Sequence, residues 1–267
     1  MKTKRLKKSK RDSPAEVTQS VRILPISSCG EGAVSTDQPL HWSSNGVRIR
    51  TAHRCGSTAY LRTTVSSSKL RSDKIDAALQ LIAQKGVKRV FTSAIGPREQ
   101  LFFRDIGFRL HEELVLLSND FSVPVPKPTH PTRRALRSDR PQILDIDTSA
   151  FPQFWQFDEP ALSEAIKATP RSRFRVNAEP SPHGFAITGR SGRQGFLQRL
   201  AVHPAHQGKG LGRSLATDAL GWLQKRHVNE VLVNTQITNL TALELYESIG
   251  FTRRSDGLAV LRWDAGE

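Results

Sequence analysis

Cysteine is scarce in this sequence of 267 residues. Cys29 and Cys55 stand apart, with no Cys-x-x-Cys pair and no cysteine–histidine ligand spacing near them. That argues against a disulfide framework and a cysteine-held metal, and fits free thiols in a reducing cytoplasm. Long apolar runs are also missing, so no segment is expected to cross a bilayer. A basic N-terminus has no apolar stretch behind it, and no secretory leader is expected. Acidic residues are outnumbered, 25 against 40 lysines and arginines, for a formal charge of +15. Much of the excess lies in Lys2, Lys4, Arg5, Lys7, Lys8, Lys10 and Arg11. Such a segment has little to bury, and residues 1–20 are expected to form a disordered basic tail. Residues 1–12 can contact nucleic acid or ribosome weakly by counterion release, or simply keep the chain solvated. No aromatic residues interleave with those charges, so bases have no stacking platform there.

The remaining length suffices for one large or two small domains. The most informative stretch runs from Leu200 to Leu215. Leu200, Ala201 and Val202 end a β-competent run that begins at Gly195, and Pro204 stops it. Gln207, Gly208, Lys209, Gly210, Leu211, Gly212 and Arg213 then form a glycine loop leading into an apolar helical pattern. Bare N–H groups at a helix start, with the positive end of its dipole, suit a pyrophosphate. The spacing is neither the dinucleotide fingerprint nor a P-loop, because the third glycine comes too early and no Gly-Lys-Ser/Thr closes it. It reads Gln-x-x-Gly-x-Gly, at Gln207, Gly210 and Gly212.

A second stretch, Asn239 to Phe251, reads Asn-x-x-Ala-x-x-x-Tyr-x-x-x-Gly-Phe. Asn239 can cap a helix whose Ala242, Leu243, Tyr246 and Ile249 share one face, and Gly250 can end it in a left-handed turn. The two stretches together resemble the GNAT acetyltransferase family, in order and in separation. Upstream, Asp73–Gln84, Val87–Ile95, Pro97 to Gly107-Phe108 and Leu114–Leu117 repeat the helix–strand–helix–Gly-Phe–strand order of the C-terminal half, suggesting an internal repeat. The copy is eroded: it has Ser66–Ser72 in place of the glycine loop, Phe103 opposite Tyr246 and Gly96 opposite Asn239.

The resemblance implies an α/β GNAT acyltransferase fold, a mixed and mostly antiparallel sheet flanked by helices, in two tandem GNAT-like domains. Residues 21–120 read as the degenerate copy and 141–267 as the catalytic domain. Residues 121–140 read as a basic linker kept extended by Pro124, Pro126, Pro128 and Pro131. The catalytic domain is expected to open with a strand at Ile143–Ile146, followed by broken helix from Thr148 to Thr169. Strands are then expected at Arg173–Ala178 and Gly184–Thr188, with a turn at Gly189–Gly192. Phe151, Phe154, Trp155 and Phe157 either shape an acceptor pocket, as in the family, or simply pack the core.

For chemistry, the resemblance implies acetyl-CoA as cosubstrate, no metal, and direct attack by a primary amine in a ternary complex. Leu200, Ala201 and Val202 would hold the pantetheine arm, with the Val202 N–H polarising the thioester carbonyl. The loop from Gln207 to Arg213 would hold the pyrophosphate, Asn239 would bond the pantetheine, and Tyr246 would protonate the departing thiolate. The C-terminal motifs are similar to those of ribosomal-protein alanine acetyltransferases, whose glutamate base would fall at Asn234, a residue that cannot accept a proton. Asp145, Asp147, Asp158, Glu159 or a water chain remain candidates, with His203 and His206 behind them. The expected protein is a cytoplasmic N-acetyltransferase acting on a small molecule, a protein N-terminus or a lysine. The alternative is a non-catalytic acyl-CoA-binding module tethered by its basic tail. Mycothiol synthases also pair two such domains, but the N-terminal half here reads as too short and too eroded for that analogy.

Overall fold

The computed structural model describes residues 41–266 except Asn45, His53, Arg54, Thr64 and Ser66. The basic tail, Cys29, residues 21–40 of the expected first domain and the Cys55 side chain lie outside the described residues.

The N-terminal half runs β1 (His41–Ser44), β2 (Val47–Ala52), β3 (Cys55–Thr63), α1 (Ser72–Gln84), β4 (Arg89–Thr92), α2 (Pro97–Asp105) and β5 (Arg109–Asn119). Helix α1 forms because Ile75, Ala78, Leu79 and Ile82 recur at helical spacing and bury one face. Proline at the first turn of α2 sets its start, and Gly107 at φ +88° lets the chain leave it.

The C-terminal half runs β6 (Thr132–Arg134), α3 (Arg140–Ala150), α4 (Glu159–Lys167), β7 (Arg171–Asn177), β8 (Gly184–Ser191), β9 (Gln194–Val202), α5 (Leu211–Gln224), β10 (Glu230–Gln236), α6 (Leu240–Glu247), β11 (Thr252–Arg253) and β12 (Leu258–Asp264). No helix among the described residues is long and apolar enough to cross a membrane.

All strands belong to one sheet, ordered β1-β2-β3-β4-β12-β5-β10-β9-β8-β7-β6, with β11 pairing β5 off this path. Among the described residues only β3–β4 and β9–β10 pair in parallel, so the sheet is mixed and mostly antiparallel, the GNAT acyltransferase architecture. The two halves trade strands at its centre. β12, the last strand of the chain's second half, lies beside β4 and β5 of the first. β5 in turn lies beside β10 of the second. The exchange mixes the cores as well: Leu117 of β5 packs with Leu215, Leu220, Val233 and Tyr246 under α5 and α6. On the opposite face Leu114 and Leu116 of β5 meet Trp155, Phe196 and Leu232.

Three expectations are corrected. Ile143–Ile146 is not a strand but the middle of α3. Pro141 sits in the first turn of that helix, and Ile143, Ile146, Asp147 and Ala150 fall at helical spacing on its inner side. The first strand of this half is instead β6, inside the stretch read as linker, pairing with β7 from Thr132 to Arg134. Asp139 ties it to α3, accepting from both terminal nitrogens of Arg133 at 2.7 and 2.9 Å and from the Leu136 N–H. Last, Gly189 is not part of a turn. It lies within β8, paired with Phe196, and is glycine because a Cβ there would stand 2.4 Å from Thr169 Oγ1 and 2.7 Å from Gln198 Oε1; the turn falls at Gly192, φ +57°.

Candidate active site

Strands β9 and β10 pair only from Gln194 to Phe196 and from Glu230 to Leu232. Both run on, to Val202 and Gln236, so they part like the arms of a V. A register shift where β9 pairs with β8, between Ile187 and Thr188, leaves Gln198 without a direct partner; such a bulge bends a strand. The gap opens a cleft of about 640 Å³.

One wall is the tip of β9. His203 N–H donates to the His183 carbonyl at 2.8 Å, across to the β8 side. Strand donors alternate, so the Val202 N–H faces the other edge, where β10 has departed. Leu200, Ala201 and Val202 all line the cleft.

The next wall is the glycine loop. Gly208 and Gly210 adopt φ +74° and +82°, a region that L side chains rarely enter. The second is the N-cap of α5, so backbone N–H groups are presented at the helix start. Gln207, Gly208, Gly210, Leu211, Gly212 and Arg213 line the cleft. Gln207 is held by its amide donating to the Val202 carbonyl, 3.0 Å, and Arg213 by donating to Ser248 Oγ, 2.7 Å. Lys209 does not line the cleft; its Nζ donates back to the Ala205 carbonyl. The extended stretch joining the halves braces this helix start from behind, where the N–H groups of Thr129 and His130 donate to buried Ser214 Oγ at 3.2 and 3.0 Å. A curved row of N–H groups without side chains in front of them fits a pyrophosphate. Gly210→Asp is therefore expected to weaken acetyl-CoA binding about 100-fold, chiefly through charge repulsion and also through a φ that L side chains rarely adopt. Calorimetric titration checks it, and unchanged affinity would remove the loop from the site.

Helix α6 closes the cleft. Asn239 caps it, its Oδ1 accepting from the Ala242 N–H at 3.2 Å, which leaves the side-chain amide N–H groups uncommitted by the cap. Tyr246 lies one face inward, buried, its ring 5.6 Å from that of Phe251. Burial pushes its phenol well above the ordinary tyrosine range, with nearby Arg199 opposing, so the hydroxyl keeps its proton at neutral pH. No hydrogen bond engages that hydroxyl among the described residues.

The remaining side of the cleft is built around an ion pair that the sequence does not advertise. Asp147, fully buried on α3, accepts from Arg199 Nε at 2.7 Å and Nη2 at 2.8 Å, and from the Phe157 N–H at 2.6 Å. The guanidinium lies between the rings of Phe151 and Phe157, 3.4 and 4.0 Å from their centroids, and also donates to the Trp155 carbonyl. Phe151, Trp155 and Leu114 thereby face the cleft. The aromatic cluster packs in the core, and two of its members also face the cleft.

The candidate bases do not gather there. Asp147 is consumed by Arg199, Asp158 caps α4 through the Ala161 N–H, Glu159 pairs with Arg140, and Asp145 is exposed on the outer side of α3. His203 Nδ1 accepts from Ala205 N–H at 3.3 Å, and His206 lines the cleft while stacking on His183 at 3.6 Å. Asn234 lines the cleft with its buried Nδ2 lacking any hydrogen-bond partner. No cluster of three or more histidine, cysteine or carboxylate side chains suited to a metal occurs among the described residues.

Comparison with known proteins follows the same lines. The sequence model for the "Acetyltransferase (GNAT) family" matches residues 140–251, which span α3, the splayed strands, the glycine loop and the Gly250-Phe251 turn. Residues 140–251 are thus similar to GNAT acetyltransferases over 112 of the chain's 267 residues. A mycothiol acetyltransferase of Acidothermus cellulolyticus is 28% identical over 182 residues, covering 58% of this chain and 56% of that protein. That alignment is longer than residues 141–267, so the analogy set aside on sequence grounds reaches into the N-terminal half of this chain. N-alpha-acetyltransferase 30 of Saccharomyces cerevisiae is 35% identical over 60 residues, 22% of this chain and 34% of that one. The chain spans about half the length of the mycothiol acetyltransferases it matches. Among solved structures, a tandem GNAT protein from the clavulanic acid biosynthesis pathway superposes with a TM-score of 0.59 at 13% identity, covering 83% of this chain and 79% of that one. At that identity the likeness speaks for the fold.

Proposed function

We propose that this chain is an acetyl-CoA-dependent N-acetyltransferase, with residues 141–267 catalytic and the N-terminal half a degenerate copy of the same unit. One observation carries the reading: splayed β9 and β10 bring the Val202 N–H, the glycine loop and the buried phenol of Tyr246 into a single cleft. In this reading the loop N–H groups bind the pyrophosphate and the parted strand edge binds the pantetheine arm. The Val202 N–H stabilises the oxyanion, a contribution of roughly 2.7–4 kcal/mol for such donors. Tyr246 holds a proton beside the leaving thiolate.

The acceptor is a primary amine. None of the carboxylates proposed as bases from sequence reaches the cleft, which favours an acceptor that sheds its proton readily. An α-amine, with pKa about 7.7–8.0, does so far more easily than a lysine at about 10.4. The likeness to N-alpha-acetyltransferase 30 points the same way. Cytoplasmic residence and a weak contact of residues 1–12 with nucleic acid or ribosome belong to the same reading. The absence of those carboxylates from the cleft also sustains the second reading, a non-catalytic acyl-CoA-binding module.

A heat-denaturation scan with acetyl-CoA, run beside free-thiol release on free-α-amine peptides and small amines, tests both. Stabilisation by about 2.7 kcal/mol is expected at 100 times Kd, together with thiol release on at least one acceptor. Stabilisation without release on any acceptor would favour the binding module, and no stabilisation at saturation would sink both readings.

A further inference from the structure

We propose that Glu112, brought to the acceptor side on the exchanged strand β5, is a recognition site for a second positively charged group on the acceptor. The inference rests on the acetyltransferase reading and extends it to substrate class: an amine that carries another cation some distance from the reacting nitrogen.

Glu112, Leu114 and Leu116 alternate along β5 and so share one face. Leu114 lines the cleft, and across the sheet it stands opposite Gln236, which lines it too. Glu112 comes next on that face, beyond the end of β10, at the outer end of the acceptor side. Its Oε2 accepts from Trp155 Nε1 at 2.6 Å, and Trp155 is itself a cleft wall. That bond leaves Oε1 without a partner among the described residues. The carboxylate is half-buried and has no cationic partner, in a chain whose basic residues outnumber its acidic ones 40 to 25.

Burial raises its pKa above the ordinary value, against the opposing pull of the Trp155 bond; an incoming cation would relieve that desolvation. Phe154 packs against Trp155 and His111 beside it, with ring centroids 5.2 and 4.6 Å apart, and aromatic faces favour a cation further. The cleft's own carboxylate, Glu244, sits at the other end. It is exposed on α6 near Leu245, which abuts Gly212, and Ser248, which holds Arg213.

The test uses the full chain, acetyl-CoA, and tripeptides with a free α-amine and lysine at position two or three, each against its norleucine counterpart. Wild type is expected to prefer the lysine peptide of matching reach by about ten- to hundredfold in kcat/KM, the range of a charged hydrogen bond. Glu112→Gln, which keeps an acceptor oxygen for Trp155, should erase that preference while leaving the norleucine rate, the acetyl-CoA KM and Tm unchanged. Glu113→Gln, an exposed change on the opposite face, should retain it. A wild type that acetylates both peptides equally, or a Glu112→Gln variant that keeps the preference, overturns the assignment and leaves the acetyltransferase reading standing. Failure to release thiol with any peptide would overturn this inference, and failure with the small amines as well would overturn that reading too.

Discussion

Tyr246→Phe is expected to lower kcat by about 10³-fold, within the 10²- to 10⁴-fold range of general acid–base catalysis, while acetyl-CoA affinity moves less than about twofold. The substitution removes one hydroxyl that has no protein hydrogen-bond partner among the described residues, so nothing in the fold is left unsatisfied. The ring keeps its contact with Phe251 and its place in the core. Stability should therefore hold or rise slightly. Because burial holds the phenol protonated, wild-type activity should show no loss attributable to Tyr246 between pH 7 and 9. Rates against pH, with calorimetric acetyl-CoA affinities on both proteins, separate the possibilities. A variant that turns over normally would leave Tyr246 a core residue only, and one that loses acetyl-CoA would make it a binding residue.

The second large effect concerns stability. Arg199→Ala is expected to cost about 3–5 kcal/mol, the range for breaking a buried ion pair from one side. Asp147 is wholly buried and would be left charged with only the Phe157 N–H to satisfy it. Phe151 and Phe157 would lose the guanidinium packed between them. Replacing both members, Arg199→Met with Asp147→Leu, should recover most of the loss, because the cost lies in the stranded charge. Urea denaturation of wild type and the two variants measures the loss and its recovery; a single-variant loss below about 1 kcal/mol would show that water reaches the pair. The same pair fixes α3 to β9, so the double variant should fold yet bind the acceptor amine more weakly.

Local chemistry was legible in the sequence, and long-range placement was not. Gly208, Gly210 and Gly250 sit where positive φ is required, and glycine writes that requirement directly into the chain. Asn239 is the cap it was read to be. Ile143–Ile146 was misread because a short apolar run fits strand and helix alike; Pro141 and the helical spacing of Ile143, Ile146 and Ala150 were the helix signals. Arg199 was invisible because a lone arginine in an apolar strand carries no sign of its partner 52 residues away. The position of Glu112 depends on which edge β5 joins, and side-chain pattern says which face of a strand is buried, not which neighbour it has.

The crossing of β5 and β12 also has a consequence in time. β4 is made early, yet the strand that covers its edge, Leu258–Asp264, emerges from the ribosome more than 160 residues later. At about 5–20 residues per second the nascent chain carries that bare edge for roughly 8–33 s. β5 waits about two thirds as long for β10. An open strand edge invites pairing with another chain, so this protein is most exposed to misassembly during its own synthesis, and neither half can be a finished module before the other is complete.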